Sequence, residues 1–291
     1  MSIAETQHKR LVEADERPER RAIVIQPTSG WAGLGLRGLW EFRELLYFLV
    51  WRDVKVRYKQ TVLGASWAIL QPLLTMVVFN VFFHRLAKVP SEGDIPYEIF
   101  SYAGLLPWQY FSTAVASSSN SLLNSAALIR KVYFPRISVP VASALGGLVD
   151  FCFAFLVLLG MMVWFRVVPT PAILLLPIFM LLAIATVVGI GLWLSALSVQ
   201  YRDVRYIVPF LVQFWLFATP VVYPSSLISE PWRTIYGLNP MVGVVEGFRW
   251  ALLGTNPPSA AIFVSALVTA TLLLTGMLFF QRTERKFADI L

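Results

Sequence analysis

Long runs of uncharged, mostly apolar residues alternate along this chain with short charged segments. Lys59 and Arg85 bracket 25 uncharged residues, Glu98 and Arg130 bracket 31, and Arg166 and Arg202 bracket 35. A further 24 lie between Arg205 and Glu230, and 32 between Arg249 and Arg282. Each run exceeds the ~20 residues of helix needed to cross a hydrocarbon core of ~30 Å. The pattern predicts an all-α polytopic membrane protein with six transmembrane helices, near 62–84, 98–120, 137–165, 172–199, 206–223 and 259–280.

The segments outside these spans carry their own patterns. Residues 1–38 are polar, contain Glu5, Glu13, Asp15, Glu16 and Glu19, and have no apolar signal-peptide core, so a polar cytoplasmic tail is expected. Residues 39–60 predict an amphipathic interface helix: Glu41, Glu44, Arg52, Lys55 and Lys59 share one arc, and Phe42, Leu46, Leu49, Val50 and Val54 face the other way. Asp53 and Arg57 interrupt that apolar face. Between the fifth and sixth spans, residues 224–258 are apolar but cut by Pro231, Gly237, Pro240, Gly243 and Gly247 into pieces too short to span. Short re-entrant external helices are expected there, because irregular backbone at membrane depth must be buried in protein or line a cavity. The chain ends in a basic segment, QRTERKFADIL.

Charge sets the orientation. The net charge of +7 has the magnitude of a nucleic-acid binder, but its distribution follows membrane topology. With the N-terminus inside, the cytoplasmic segments hold 19 of the 24 Lys and Arg and 11 of the 17 acids, and the external segments hold 5 of each. That is the positive-inside asymmetry, and it places both termini in the cytoplasm. Hydrophobic residues make up 57% of the chain, above the ~45–50% of soluble domains. A single cysteine, Cys152, leaves no disulfide framework or cysteine metal site and is expected to pack.

Candidate chemistry is sparse. No glycine precedes a lysine, so the chain has no Walker A loop. It has no DxD pair and no HExxH, and the histidines are His8 and His84 alone. Metal, catalytic residues and nucleic acid are therefore not expected. Asp150 is the one charge deep in a span, either a packing carboxyl hydrogen-bonded to neighbouring helices, a proton-coupling group, or a polar position on a pathway. Phe79, Phe82, Phe83, Trp108, Tyr110, Phe111, Trp215 and Phe217 gather toward the outer halves of their spans, as interfacial or lipid-facing rings or as a channel lining on which sugars stack. One motif occurs twice. Trp51-Arg52-Asp53-Val54 and Tyr201-Arg202-Asp203-Val204 are each followed by an Arg-Tyr pair, and both precede a span at the cytoplasmic face. They read as interfacial anchors or as two docking surfaces for one cytoplasmic partner.

The stretch WRDVKVRYKQTVLGASWAILQPL, then KVYFPR followed by LVDF, the loop YRDVRY and the late GLNPMVGVVEGFRW, resemble the permeases of polysaccharide ABC exporters, the type 2 group that exports O-antigen, teichoic acid and capsule glycans. The resemblance covers about residues 39–291 and implies a six-helix transmembrane domain over 61–291. It implies a homodimer that binds two copies of a cytoplasmic ATPase, which would hold ATP and Mg, while this chain binds no cofactor. Gln200, Tyr201, Arg202, Asp203, Val204, Arg205 and Tyr206, with Arg52 and Asp53, would couple to the ATPase. Residues 121–136 would form a cytoplasmic gate, and the 224–254 helices, with Trp232, Tyr236 and Glu246, an external one. The substrate would be a glycan on undecaprenyl diphosphate, drawn to the inner leaflet by Arg52, Lys55, Arg57, Lys59, Arg130 and Lys131. The competing readings are an ABC permease for a drug or small lipid, a proton-coupled carrier using Asp150, and a glycan-modifying membrane enzyme, which the residue inventory supports least. The expected location is the bacterial inner membrane.

Overall fold

The computed structural model describes residues 36–59, 66–229, 232–284 and 287. The expected tail over 1–38 lies almost wholly outside the described residues, as does most of the C-terminal basic segment. Every regular element among the described residues is helical. They are α1 (Leu36–Glu41), α2 (Arg43–Lys59), α3 (Ser66–Phe79), α4 (Tyr97–Asn124), α5 (Ala126–Lys131), α6 (Ser138–Trp164), α7 (Leu176–Gln200), α8 (Val204–Phe217), α9 (Trp232–Tyr236), α10 (Pro240–Leu253) and α11 (Ala261–Glu284).

Among the described residues, four segments are long and apolar enough to cross a membrane: Ser66–Leu86, Ser138–Trp164, Pro171–Gln200 and Ala261–Glu284. The first joins α3 to a π-helical stretch, Asn80–Leu86, and the third joins a 3-10 turn to α7. The second and fifth expected spans differ from these for physical reasons. Helix α4 has 28 residues, about 42 Å, so length does not limit it. It packs on α3, α6, α7 and α10 and buries 19 side chains, so it is shielded enough to carry Ser101, Gln109, Ser118, Ser119 and Asn120. Helix α8 stops at Phe217, six residues short of the expected end. Pro220 follows, and the carbonyls released there are taken up by side chains of the α9–α10 region.

The expected helix over 39–60 is two helices, α1 and α2, broken at Phe42. Helix α2 is not cleanly two-faced. Tyr47, Phe48, Trp51 and Val56 are exposed, whereas Leu49 is buried and Asp53 and Arg57 are half-buried against α6. Cys152, expected to pack, is exposed on α6, where a small apolar thiol suits a lipid-facing position as well as a core one.

The main core surrounds α4, with Tyr102, Leu106, Phe111, Phe151, Val187 and Phe248 among its buried members. The Tyr102 hydroxyl donates to the Ala154 carbonyl at 3.2 Å and the Tyr110 hydroxyl to that of Ala144 at 3.2 Å, which sets α4 and α6 antiparallel. Helices α7 and α11 approach more closely. A Cβ on Gly189 would meet the Leu273 nitrogen at 2.7 Å, and one on Gly276 would collide with the Gly189 carbonyl. Thr186 and Thr269 share a hydrogen bond of 2.9 Å across this seam, and the Trp193 indole donates to Thr275 at 3.2 Å. Small residues with hydroxyl bridges are how helices adhere where the surroundings are as apolar as the side chains.

Candidate functional site

Three places gather polar groups in this apolar frame. The first is where α2 meets α6. Asp53 accepts from the Ser143 hydroxyl at 3.1 Å and from the guanidinium of its neighbour Arg52 at 2.8 Å. Arg52 also reaches Ser125, at the joint between α4 and α5, at 3.3 Å. One helical turn on, Arg57 and the Tyr58 hydroxyl both donate to Asp150, one to each carboxylate oxygen. The two residues that spoil the apolar stripe of α2 are thus the ones that fasten it to α6. Pairing removes most of the cost of an intramembrane carboxylate.

Beside this pair lies a cavity of about 600 Å3 bounded by α2, α3, α4 and α6. Leu106, Gln109, Tyr110, Thr113 and Ser117 form one face of α4 along it, and Trp67, Ala68, Gln71 and Pro72 form the α3 wall. Phe151, Ala154 and Asp150 close the α6 side. Pro72 has no N–H for the Ala68 carbonyl four residues back, so that carbonyl in the α3 wall lacks its usual intrahelical donor.

The second place is the turn from α7 to α8. Tyr201, Arg202 and Asp203 form the turn, and Val204, Arg205 and Tyr206 begin α8. Gln200 and all of these except half-buried Val204 are exposed, Tyr206 to 77%. The gate expected over 121–136 is the end of α4, a break at Ser125, the short α5, and a loop in which Tyr133 is exposed and Phe134 buried. Arg136 donates to the Glu284 carbonyl at 2.6 Å, tying that loop to the end of α11.

The third place surrounds α10. Asn239 caps the helix, accepting from the Met241 N–H at 3.1 Å, Pro240 occupies the first turn, and Gly254, at φ 69°, ends it. Thirteen of its fourteen residues are buried. Arg249 donates to the carbonyls of Phe100 at 3.1 Å and Pro220 at 2.6 Å, and to that of Val221, and it stacks on the Phe100 ring at 3.7 Å. Gly104 leaves the space this guanidinium fills. Glu246 is 8% exposed and shares a small polar niche with Glu92, Ser225, Arg233 and Arg249. Burial pushes its carboxyl up, against the pull of Ser225, Arg233 and Arg249.

Residues 44–253 match the model of the ABC-2 type transporter membrane domain. The chain belongs to the ABC-2 type transporter family. It is 31% identical over 258 residues to an O-antigen export system permease protein of Myxococcus xanthus, covering 87% of this chain and 98% of that one. A protein of the same description from Klebsiella pneumoniae is 29% identical over 85% of this chain and 95% of its own. A polysialic acid transport protein of Escherichia coli is 25% identical over 80% and 91%.

In this ABC-2 chain the residues singled out from sequence fall into distinct settings. Of the six cations assigned to the inner leaflet, Lys55, Lys59, Arg130 and Lys131 are exposed, whereas Arg52 and Arg57 are engaged by Asp53 and Asp150. Of the eight aromatic rings, Phe79, Trp108, Tyr110 and Phe111 are buried in the core, Phe83 and Trp215 are half-buried against it, and Phe82 and Phe217 are exposed. Trp232 is exposed, and the half-buried Tyr236 meets the Tyr223 hydroxyl with its own. Arg249 was legible only as an isolated charge in an apolar stretch, and Tyr58 carried no signal beyond its place beside Arg57.

Proposed function

We propose that this chain is the membrane-spanning permease subunit of an ATP-driven exporter that moves undecaprenyl-diphosphate-linked polysaccharide, such as O-antigen, across the bacterial inner membrane. The observation that carries this reading is the extent of the likeness: polysaccharide-export permeases align with it over nearly their whole length, 98% in one case. Six spans follow if α4 and α8 cross beside the four apolar segments, with both termini cytoplasmic. The absence of a Walker A loop assigns ATP and Mg to a separate cytoplasmic subunit. Two permeases and two ATPases form the working unit, and the exposed faces of α3 and α8 supply apolar surface for pairing.

In this scheme the exposed α7–α8 turn receives the ATPase, and α2, fastened to α6 through Asp53 and Arg57, carries the same movement into the bundle as a rigid-body shift. Lys55, Lys59, Arg130 and Lys131 attract the lipid diphosphate. Helices α9 and α10 act as the re-entrant external gate, held to the end of α8 by Arg249. A proton-coupled carrier has less support, because both oxygens of Asp150 are engaged by Arg57 and Tyr58.

The test is gentle-detergent purification from the native host with mass identification of whatever co-purifies. A stoichiometric subunit containing a Walker A loop, and export that stops when its Walker lysine is replaced, is the expected result. Export by the chain alone overturns the reading.

A further inference from the structure

We infer that the cavity between α3, α4 and α6 is a binding site for one hydrocarbon chain of a membrane phospholipid. The inference does not rest on the export reading, since it concerns what the bilayer supplies to this fold.

Shape argues first. The cavity follows α4 from Leu106 to Ser117, eleven residue steps and so about 16 Å of rise. That is half of a ~30 Å hydrocarbon core, the reach of one lipid chain in one leaflet. Its volume of about 600 Å3 is in the range of ligand-binding sites, about 300–1,000 Å3, and far beyond a packing defect.

Polarity argues second. Toward the N-terminal end of α4 the walls are Leu106, Pro72, Phe151 and Ala154, and toward its C-terminal end they are Gln109, Thr113 and Ser117, with Gln71 and Trp67 on α3. An apolar tail at one end and uncharged polar groups at the other suit a fatty chain and its ester linkage. Arg57 is neutralised by Asp150, so the cavity itself offers no net charge for a phosphate. Trp67 lines the cavity and is also half-exposed, so the opening faces the side of α3 that no other helix among the described residues covers.

The experiment is native mass spectrometry of the full-length protein released from polymer-bounded native discs and washed in mild detergent, counting phospholipids per chain. One retained phospholipid per chain is expected. Ala154→Phe, which fills the apolar end, should lower retention at least tenfold, while Leu181→Phe on the exposed face of α7 should leave it unchanged. Equal retention in both variants, no retained phospholipid in the unaltered protein, or a polyprenyl diphosphate in its place overturns the assignment. Photolabelling of the unaltered protein with a phosphatidylglycerol carrying a diazirine on its acyl chain needs no variant. Labels within 106–117 and 150–154 are expected, and labels confined to the exposed faces of α3 and α8 refute the site.

Discussion

Single charges at two depths show how this fold tolerates groups that an apolar surrounding penalises. Arg249 is buried, yet its donors meet the carbonyls of Phe100, Pro220 and Val221, two of them on the non-helical chain after α8. Backbone of that kind at membrane depth requires a side-chain partner. Replacing Arg249 with Leu strands those carbonyls, each worth ~1–3 kcal/mol when left unpaired in a buried site. The variant is expected to lose at least about 3 kcal/mol and to melt well below the parent in a size-exclusion thermal challenge. Arg249→Lys should recover only part of the loss, because an ammonium lacks the planar fork; parent-like melting of the Leu variant would refute the role. At Asp150 the partners are Arg57 and Tyr58. A double-mutant cycle on Arg57→Gln and Asp150→Asn is expected to show coupling of about 1–3 kcal/mol, because each single change leaves its partner's charge without a counterpart. The Asp150→Asn protein should keep measurable export, whereas a proton carrier would lose it. The sequence exposed Asp53 and Arg57 as flaws in a stripe, and Asp150 as a charge out of place. That these flaws answer one another depends on the register between α2 and α6, which a local pattern does not contain.

At the scale of elements, length and hydropathy identified the helices with exposed apolar faces and said less about those enclosed by protein. Segments Ser138–Trp164 and Ala261–Glu284 fall within a few residues of their expected bounds, since their apolar runs and their helices end together. Helix α4 also sits where expected but is less apolar, because neighbouring helices screen it. The end of α8 was misplaced because Thr219 to Tyr223 remain apolar while leaving the helix, their carbonyls answered by Arg249 and Asn239 rather than by the next turn. Close packing of α7 on α11 gives a sharp expectation. Gly276→Val places a side chain against the Gly189 carbonyl, and the helices must separate and give up the Thr186–Thr269 bond. Overpacking of this kind costs ~1–3 kcal/mol, so the variant's thermal midpoint should fall, while Gly160→Val, at an open position on α6, leaves it in place. The α7–α8 turn predicts a different phenotype. Arg202→Glu or Asp203→Lys alters an exposed surface, so insertion and melting should be unchanged while ATPase binding and export drop together. Normal export in either variant would remove the turn from the coupling path.

For the whole molecule, the exposed faces of α3 and α8 and the buried face of α4 divide the aromatic rings between two tasks. Trp108 and Phe111 lie 5.2 Å apart between ring centres in the core, and Phe111 meets the half-buried Trp215 edge-on at 5.8 Å. Phe82, on the π-helical stretch after α3, and Phe217, at the end of α8, are exposed. The sequence grouped these rings as one set, but inward and outward rings share the same composition, and only packing separates them. The two groups should respond to truncation in opposite ways. Trp108→Ala empties a large core site and is expected to cost ~3–5 kcal/mol, lowering the thermal midpoint and the amount of folded protein with no specific effect on transport per folded molecule. Phe82→Ala and Phe217→Ala remove exposed rings, so their melting should match the parent's. If they line the route between two copies, export per assembled complex should slow severalfold with ATPase binding intact. Export measured against folded protein, beside a melting curve for each variant, separates these outcomes. Unchanged export in the Phe82→Ala, Phe217→Ala double variant would place the route away from both faces and leave those rings as lipid contacts.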